Sequence, residues 1–282
     1  MKAILICPGE RPDVAHLATD SPLVLKPALG QSLLEYWMSY LTCKNVKHVV
    51  LLVQNGQVEF QNILGSGSRW GVTVEIVSES WEMTPAQATE KYGAPAFLAD
   101  QFPGLPEHSP FAGYAQWFQS LMAWMPRARI PDRVGVREVA LGIWVGLHCQ
   151  ISRQAQLQAP CWVGDHVYIG PGAVIGPEVV LENGAFVEPN AEITNSVVGP
   201  ATFVGQYVQI KHSLALGGTL INWQTGLESK VSDAFLLCSL EPQRAGDKAM
   251  PLLDRVAEWL ALWKEDQDQP LEPEPLLVKR GS

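Results

Sequence analysis

An aliphatic residue recurs every six positions across the centre of the chain, and this spacing limits the possible folds more than any other feature. A period of six is neither the 3.6 of an α-helix nor the 2 of a simple strand, and it indicates one short strand plus one corner per repeat. With three repeats to a coil, we predict a parallel β-helix of about four coils over residues 141–240. All thirteen repeat positions are Val, Ile or Leu, with one residue dropped after the ninth: Val145, Ile151, Leu157, Val163, Ile169, Ile175, Leu181, Val187, Ile193, Val198, Val204, Ile210 and Leu216.

Two other positions of the repeat agree with this fold. Glycine follows the aliphatic residue directly in seven of the thirteen repeats, and we interpret it as permitting the backbone conformation of the corner. Four residues after each aliphatic position, we predict a second inward site, where small residues suit a narrow interior. Its members are Cys149, Ala155, Cys161, Val167, Ala173, Val179, Ala185, Ala191, Val197, Thr202, Val208, Leu214 and Leu220.

Residues 1–80 alternate strand and helix and predict a small α/β domain. Ser32 and Glu35 have the spacing of a capping box, so a helix begins there, and a shorter helix covers Val58–Leu64. The βαβαβ order favours a parallel, right-handed, Rossmann-like sheet of the nucleotide-binding kind. Its predicted strands are Ala3–Cys7, His48–Val53 and Val72–Val77.

Three other segments complete the predicted organisation. Residues 81–140 form a connector rich in proline and aromatic residues, with a helix over 110–125. A C-terminal helix falls within 241–264, and residues 265–282 read as an acidic, flexible tail.

Composition excludes several classes of function. The net charge is −9 and Lys and Arg are not clustered, which argues against a nucleic-acid partner. No apolar run approaches the ~18 residues of a membrane span, and Pro8 ends the apolar N-terminal stretch too early for a signal peptide. Five cysteines without paired spacing suggest reduced thiols, so we expect a cytoplasmic protein.

A strand-helix start followed by a hexapeptide β-helix resembles the sugar-phosphate nucleotidyltransferase (NDP-sugar pyrophosphorylase) family. The resemblance covers residues 1–80 and 110–240, and the second half looks like mannose-1-phosphate guanylyltransferase-like proteins. The family opens with a strand, G-G-x-G-T-R-L, P-K-P and a P-L-L-E-Y-type helix start. The matching stretch here is MKAILICPGERPDVAHLATDSPLVLKPALGQSLLEYW. The resemblance implies a left-handed β-helix and Mg²⁺-dependent transfer of a nucleotide to a sugar 1-phosphate.

The sequence departs from that pattern where the family carries its chemistry. Of the glycine-rich loop only Gly9 remains, and Pro8 and Pro12 cannot donate an N–H to a phosphate. Asp13 replaces the family's arginine, and Leu23 replaces the lysine of P-K-P. The stretch that holds the family's metal-binding aspartate also lacks a counterpart after the third strand. These losses predict that nucleotidyl transfer is abolished, since each charge contact matters in the transition state.

We therefore expect a catalytically degenerate family member. It would act as a binding, regulatory or scaffold subunit in sugar-nucleotide or surface-polysaccharide biosynthesis. Gly9, Glu10, Arg11 and Lys26 are the candidates for weak nucleotide or sugar-nucleotide binding. We assign no catalytic residue and no metal site, and Mg²⁺ is implied only if the chain is an active nucleotidyltransferase. A homo-oligomer or a glycosyltransferase-type protein partner is expected.

A second hypothesis comes from the repeat region. Hexapeptide β-helices resemble many acyltransferases, in which a histidine acts as the base. His148 and His166 are 18 residues apart, so they should stack one coil above the other. Two exposed corner histidines without a catalytic role are the alternative interpretation of the same pattern.

Overall fold

The computed structural model describes residues 1–19, 21–105, 107, 109–128 and 135–241. The chain divides into two compact units, Met1–Ala128 (unit 1) and Arg129–Ser282 (unit 2). The predicted tail over 265–282 and all but the first residue of the predicted 241–264 segment lie outside the described residues.

Unit 1 contains the predicted parallel sheet. The sheet has the strand order β5-β4-β1-β6, and every neighbouring pair is parallel. Short 3-10 turns cover Pro12–Ala18, Leu23–Leu25, Ser68–Trp70, Pro110–Ala112 and Met125–Arg127. The strands of unit 1 are β1 (Lys2–Ile6), β2 (Pro27–Ala28), β3 (Gln31–Ser32), β4 (His48–Val53), β5 (Thr73–Ser78) and β6 (Ala96–Leu98). The helices are α1 (Leu33–Cys43), α2 (Gln57–Leu64), α3 (Pro85–Tyr92) and α4 (Tyr114–Trp124).

The predicted boundary at residue 80 falls inside unit 1. Strand β6 lies in the predicted connector, yet it pairs with β1 through the register Ile4↔Ala96. A strand of three residues is too short to show a periodic apolar pattern, so no strand is predicted there. Because β6 completes the sheet, the α/β unit continues through the connector to Ala128.

The helices of unit 1 begin and end where the sequence carries local signals. The capping box of α1 is present: the Glu35 N–H donates to Ser32 Oγ at 3.3 Å, and the Ser32 N–H donates to Glu35 Oε2 at 2.9 Å. The helix predicted over 110–125 is divided at Gly113, with a 3-10 turn before it and α4 after it. Trp124 at the end of α4 stacks on Phe102 with ring centroids 5.2 Å apart, so the predicted aromatic segment contributes to the core.

Unit 2 is a stack of short parallel strands that resembles a left-handed parallel β-helix. One sheet has the order β10-β13-β16-β19, a second contains β9-β12-β15-β18, and a third contains β8-β11-β14-β17-β20. Antiparallel strands border the stack: β7 beside β8, β21 beside β20, and β23 beside β18. The strands of unit 2 are β7 (Arg137–Ala140), β8 (Ile143–Val145), β9 (Gln150–Ile151), β10 (Gln156–Leu157), β11 (Cys161–Val163), β12 (Tyr168–Ile169), β13 (Val174–Ile175), β14 (Val179–Leu181), β15 (Phe186–Val187), β16 (Glu192–Thr194), β17 (Ser196–Val198), β18 (Thr202–Val204), β19 (Gln209–Lys211), β20 (Ser213–Leu216), β21 (Thr219–Asn222), β22 (Glu228–Lys230) and β23 (Leu237–Ser239).

The spacing of the repeat is shortened by one residue at two places, whereas the sequence pattern predicts one such place. Val198 pairs with Leu181 and with Ala215, so Ala215, and not Leu216, continues the column of core aliphatic positions. Ala215 is buried among the core residues of unit 2. The step from Ile210 to this position is five residues, like the step from Ile193 to Val198.

Each shortening corrects one predicted inward residue, Val197 at the first and Leu214 at the second. Val197 pairs with Val180 and Leu214, which lie between the inward positions of their strands, so these three side chains point away from the core of the coils although all are buried. Ser196 and Ser213 take the inward positions instead. Their hydroxyls are satisfied locally, because Ser196 Oγ accepts from the Ser213 N–H at 3.1 Å and each serine donates to a nearby carbonyl.

The glycines that recur in the repeat also have a different role from the one predicted. A Cβ on Gly170 would lie 2.7 Å from the backbone nitrogen of Pro189 in the next coil, and one on Gly164 would lie 2.8 Å from that of Asn183. Neither glycine has a positive φ. Glycine is needed here because neighbouring coils approach closely, and the left-handed corner residues come two positions later. Gly176 and Gly217 are exceptions that do have a positive φ.

Candidate functional site

The loop after β1 brings two of the predicted nucleotide-binding residues together, but on a carboxylate of the chain itself. The Gly9 N–H donates to Glu82 Oε2 at 2.8 Å. Arg11 donates to both oxygens of the same group, with Nη1–Oε2 at 2.9 Å and Nη2–Oε1 at 2.7 Å. Sequence reasoning missed Glu82, which lies 71 residues from Arg11 and belongs to no periodic pattern.

Ionisation of this cluster follows from its contacts. Burial would raise the pKa of Glu82, but hydrogen bonds from Arg11 and from the Gly9 N–H outweigh burial and hold the pKa below its ordinary value. The hydrogen bond to Glu82 raises the pKa of Arg11. Asp100, which follows β6, interacts electrostatically with both groups, and burial raises its pKa. The carboxylates of Glu82 and Asp100 therefore offset the positive charge of Arg11.

A cavity of about 250 Å³ opens beside this cluster, at the carboxyl ends of β1 and β4. Residues 7–10, Thr19, Ser21, Gln54, Asn55 and Phe60 are among those that line it. Glu10 is the one charged residue among the described residues of the lining. The carboxyl ends of parallel strands are where α/β sheets bind ligands, so this cavity is the candidate binding site of unit 1.

The other residues singled out in this loop lie differently. Lys26 directly follows the second 3-10 turn and does not line the cavity. Leu23, which replaces the family's lysine, is buried in the cavity wall, and Asp13 is exposed on the first 3-10 turn. The predicted set of four is therefore only partly brought together, with Gly9 and Glu10 at the cavity and Arg11 beside it.

In unit 2 the predicted histidine pair is present at one corner of the coils. His148 and His166 stack with ring centroids 5.0 Å apart and an interplanar angle of 32°. Both are exposed, and both adopt left-handed backbone conformations, with φ of 55° and 57°. Gly184 occupies the next place in the column, so the pair does not extend further.

A side-chain ladder fixes the backbone beside this pair. Asp165 Oδ1 accepts from the Leu147 N–H at 2.7 Å, and the Asp165 N–H donates to Asn183 Oδ1 at 2.8 Å. The His166 N–H donates to the Leu147 carbonyl at 2.8 Å. The Asp165 carboxylate thereby links two coils. The corner therefore presents imidazole side chains on a rigid backbone, and a neutral imidazole can accept a proton at neutral pH.

The described residues give no support for a metal centre. Among them, no group of three or more His, Cys, Asp or Glu side chains is arranged to hold a metal ion. The stacked histidines alone would supply two ligands, fewer than a zinc site needs. No helix in the described parts of the chain is long and apolar enough to cross a membrane.

Solved structures similar to this chain include three from one bacterium. Two are mutants of GDP-perosamine N-acetyltransferase from Caulobacter crescentus in complex with CoA and GDP-perosamine, with 16% and 17% identity and TM-scores of 0.21 and 0.20. Each match covers 61% of this chain and 93% of that one. The third is PerB from the same organism with the same ligands, at 18% identity and a TM-score of 0.19, covering 61% of this chain and 94% of that one. At these scores we draw no argument from the likeness.

Sequence comparison gives a firmer result for the repeats. No curated protein matches the chain. One family model does match, and it covers β11 to β16 together with the corner that carries Asp165 and His166. The match is to the model described as bacterial transferase hexapeptide (six repeats), and it spans residues 160–195.

Proposed function

We propose that this chain is a hexapeptide-repeat acyltransferase and that the His148–His166 corner of unit 2 supplies the catalytic base. The observation that carries the proposal is the exposed, stacked histidine pair on a corner whose backbone Asp165 holds. His166 also lies within the segment that matches the transferase repeat. We expect the donor to be an acyl-CoA and the acceptor to be an amino or hydroxyl group of a sugar or sugar nucleotide.

The proposed step is acyl transfer with general-base catalysis. The acceptor nitrogen or oxygen attacks the thioester carbonyl, the new C–N or C–O bond forms, and the C–S bond breaks. His166 takes the proton from the attacking group and returns it to the departing CoA thiolate, so the enzyme is regenerated. Such proton transfer contributes about 10²- to 10⁴-fold to a rate.

The test measures free CoA by liquid chromatography after the full chain is incubated with acetyl-CoA and a panel of amino sugars and nucleotide-linked amino sugars. Chromatography avoids thiol reagents, which would also react with the exposed Cys43. We expect His148→Gln plus His166→Gln to lower the rate at least 100-fold, in line with loss of a general base. His212→Gln is the matched control, because His212 is also a left-handed corner residue but its ring lies beside Trp223, at an interplanar angle of 59°. Equal rates for the wild type and the double variant would refute the proposal.

For unit 1 a separate observation favours ligand binding without nucleotidyl transfer. Two of the candidates for nucleotide binding, the Gly9 N–H and the Arg11 guanidinium, are both bound to Glu82. Nucleotidyl transfer would require Mg²⁺, but the described residues do not provide a cluster of three ligands, so we derive no step through the metal. We expect no pyrophosphate release from nucleoside triphosphates, sugar 1-phosphates and Mg²⁺, and robust release would refute this part of the proposal.

Self-association is part of the proposal, since hexapeptide proteins commonly assemble. Light scattering on the full chain tests it, and a mass of about 31 kDa, the mass of one chain, would contradict it. A glycosyltransferase-type partner remains a further prediction, to be tested by pull-down.

A further inference from the structure

The N–H groups of Gly9 and Arg11 in the unit 1 loop all donate to the carboxylate of Glu82. Three N–H groups, one from Gly9 and two from Arg11, donate to a single carboxylate over 2.7–2.9 Å. Charge-assisted bonds of this length and bidentate form are the kind that Arg also makes to phosphate. The side chains of Arg11 and Glu82 are 30% and 24% exposed, so solvent screens the pair only in part. Glu82 therefore acts as a built-in anion at the place where a phosphate group would be held.

The adjoining cavity is uncharged over most of its wall. The amides of Gln54 and Asn55 and the hydroxyls of Thr19 and Ser21 line it, whereas the Phe60 ring in its wall is fully buried. Gln54 lies against the loop, since its Oε1 is only 2.4 Å from where a Cβ on Gly9 would stand. Within the part of the chain that the structure describes, neither amide side chain is hydrogen-bonded to another residue. Donors and acceptors for a polar ligand are therefore available.

Charge and size together narrow the ligand class. Glu10 lines the cavity, and Glu82 and Asp100 offset Arg11, so a phosphate group would meet net negative charge. The volume of about 250 Å³ lies below the range of about 300–1,000 Å³ that drug-sized ligands need. A monosaccharide is uncharged and smaller than such ligands, and its hydroxyls can pair with the amides and hydroxyls that line the cavity.

We propose that this cavity binds an uncharged ligand of monosaccharide size and that Glu82, by occupying Gly9 and Arg11, excludes the phosphorylated form of the same ligand. The proposal concerns unit 1 and stands apart from acyl transfer by the histidine corner. A nucleoside shares the uncharged, hydroxylated chemistry but is larger, and it is one outcome of the test.

The experiment measures binding to the full chain by isothermal titration calorimetry. The probes are glucose, galactose and N-acetylglucosamine, their 1-phosphates, and the pair guanosine and GMP. For the wild type we expect at least one free sugar to bind at least tenfold more tightly than its 1-phosphate. Glu82→Gln leaves Gly9 and Arg11 with an uncharged partner, so the ratio of the two affinities should move at least tenfold toward the phosphate.

Two controls keep the result interpretable. Glu79→Gln removes a carboxylate from the same region that is bound to Lys91 at 2.6 Å and does not line the cavity, so it should leave the ratio unchanged. If Glu82→Gln does not fold, Arg11→Gln serves instead, and it should weaken phosphate binding further while free-sugar binding persists.

Several outcomes would overturn the proposal. The first is that the wild type binds the 1-phosphate as tightly as the free sugar or more tightly, and the second is that Glu82→Gln leaves the affinity ratio unchanged. The third is that guanosine binds more tightly than any sugar. The fourth is that no sugar binds at roughly 10 mM, a concentration at which even a weak specific site would be occupied.

Discussion

Replacement of Gly170 by alanine tests why glycine recurs in the repeat. A Cβ at this position would lie 2.7 Å from the Pro189 backbone nitrogen and 3.0 Å from the Glu188 carbonyl carbon, whereas ordinary contact begins at 3.4 Å. Both neighbours are backbone atoms, so no side-chain rotation relieves the clash, and the two coils must separate by about 0.7 Å at this point.

The magnitude follows from what that separation breaks. The Gly170 N–H donates to the Val187 carbonyl at 2.9 Å, and adding about 0.7 Å takes this pair beyond hydrogen-bond distance. An unsatisfied buried group costs about 1–3 kcal/mol, and overpacking costs about 1–3 kcal/mol. The lower entropy of the unfolded chain after a Gly-to-Ala change offsets about 0.4–1 kcal/mol. We therefore expect Gly170→Ala to lower the free energy of unfolding by about 1–5.5 kcal/mol.

Gly218→Ala is the matched control, because among the described residues the atom nearest to a Cβ there, the Val231 carbonyl oxygen, would lie at 3.7 Å and the residue has no positive φ. It should leave the free energy of unfolding unchanged or raise it by up to about 1 kcal/mol. Guanidinium unfolding followed by far-UV circular dichroism compares the two variants with the wild type. Equal stability of Gly170→Ala and Gly218→Ala would refute the reasoning. A Gly170→Asn variant as stable as the wild type would also refute the reasoning. Asn is tolerated where glycine is needed for a left-handed backbone, but it is not tolerated where a neighbouring coil leaves no room for a Cβ.

Three shorter predictions follow from single residues. Ile193→Ala, at a fully buried core position, should cost about 2–5 kcal/mol in guanidinium unfolding, while Glu192→Ala on the outer face of the same strand should stay within about 0.5 kcal/mol; equal losses would contradict the inward register. Burial raises the pKa of the Cys161 thiol to about 12, so maleimide labelling at pH 7 followed by peptide mass spectrometry should modify exposed Cys43 in the native protein and Cys161 only after unfolding. The lowered pKa of Glu82 means that its ionised form stabilises the fold above the ordinary value of 4.5 and that this contribution is lost as the pH falls below it. Glu82→Gln should therefore lower the unfolding free energy by up to about 1 kcal/mol at pH 7 and by less at pH 3, and an equal effect at both would contradict the ion pair.

Features that depend on residues close in sequence were predictable. Ser32 and Glu35 define the start of α1 because both halves of a capping box lie within one helical turn. His148 and His166 could be placed in one stack because one coil of three hexads separates them. The second shortening of the repeat was missed because Leu216 and Ala215 are both apolar, so the sequence alone did not decide which residue faces inward.

By itself, the sequence determined that the centre of the chain is a β-helix, since every hexad meets its partners at a nearly constant distance along the chain and a periodic pattern records those contacts. It also determined which loop of unit 1 holds the charged candidates. Only the tertiary structure decided what those candidates contact. Arg11 and Glu82 lie 71 positions apart, and the paired residues of β1 and β6 lie about 90 positions apart. No periodic pattern in the sequence indicates either contact. Such contacts are selected by the packing of the whole sheet, which is why the loop read as a weak nucleotide site in the sequence and is an internally neutralised cluster in the fold.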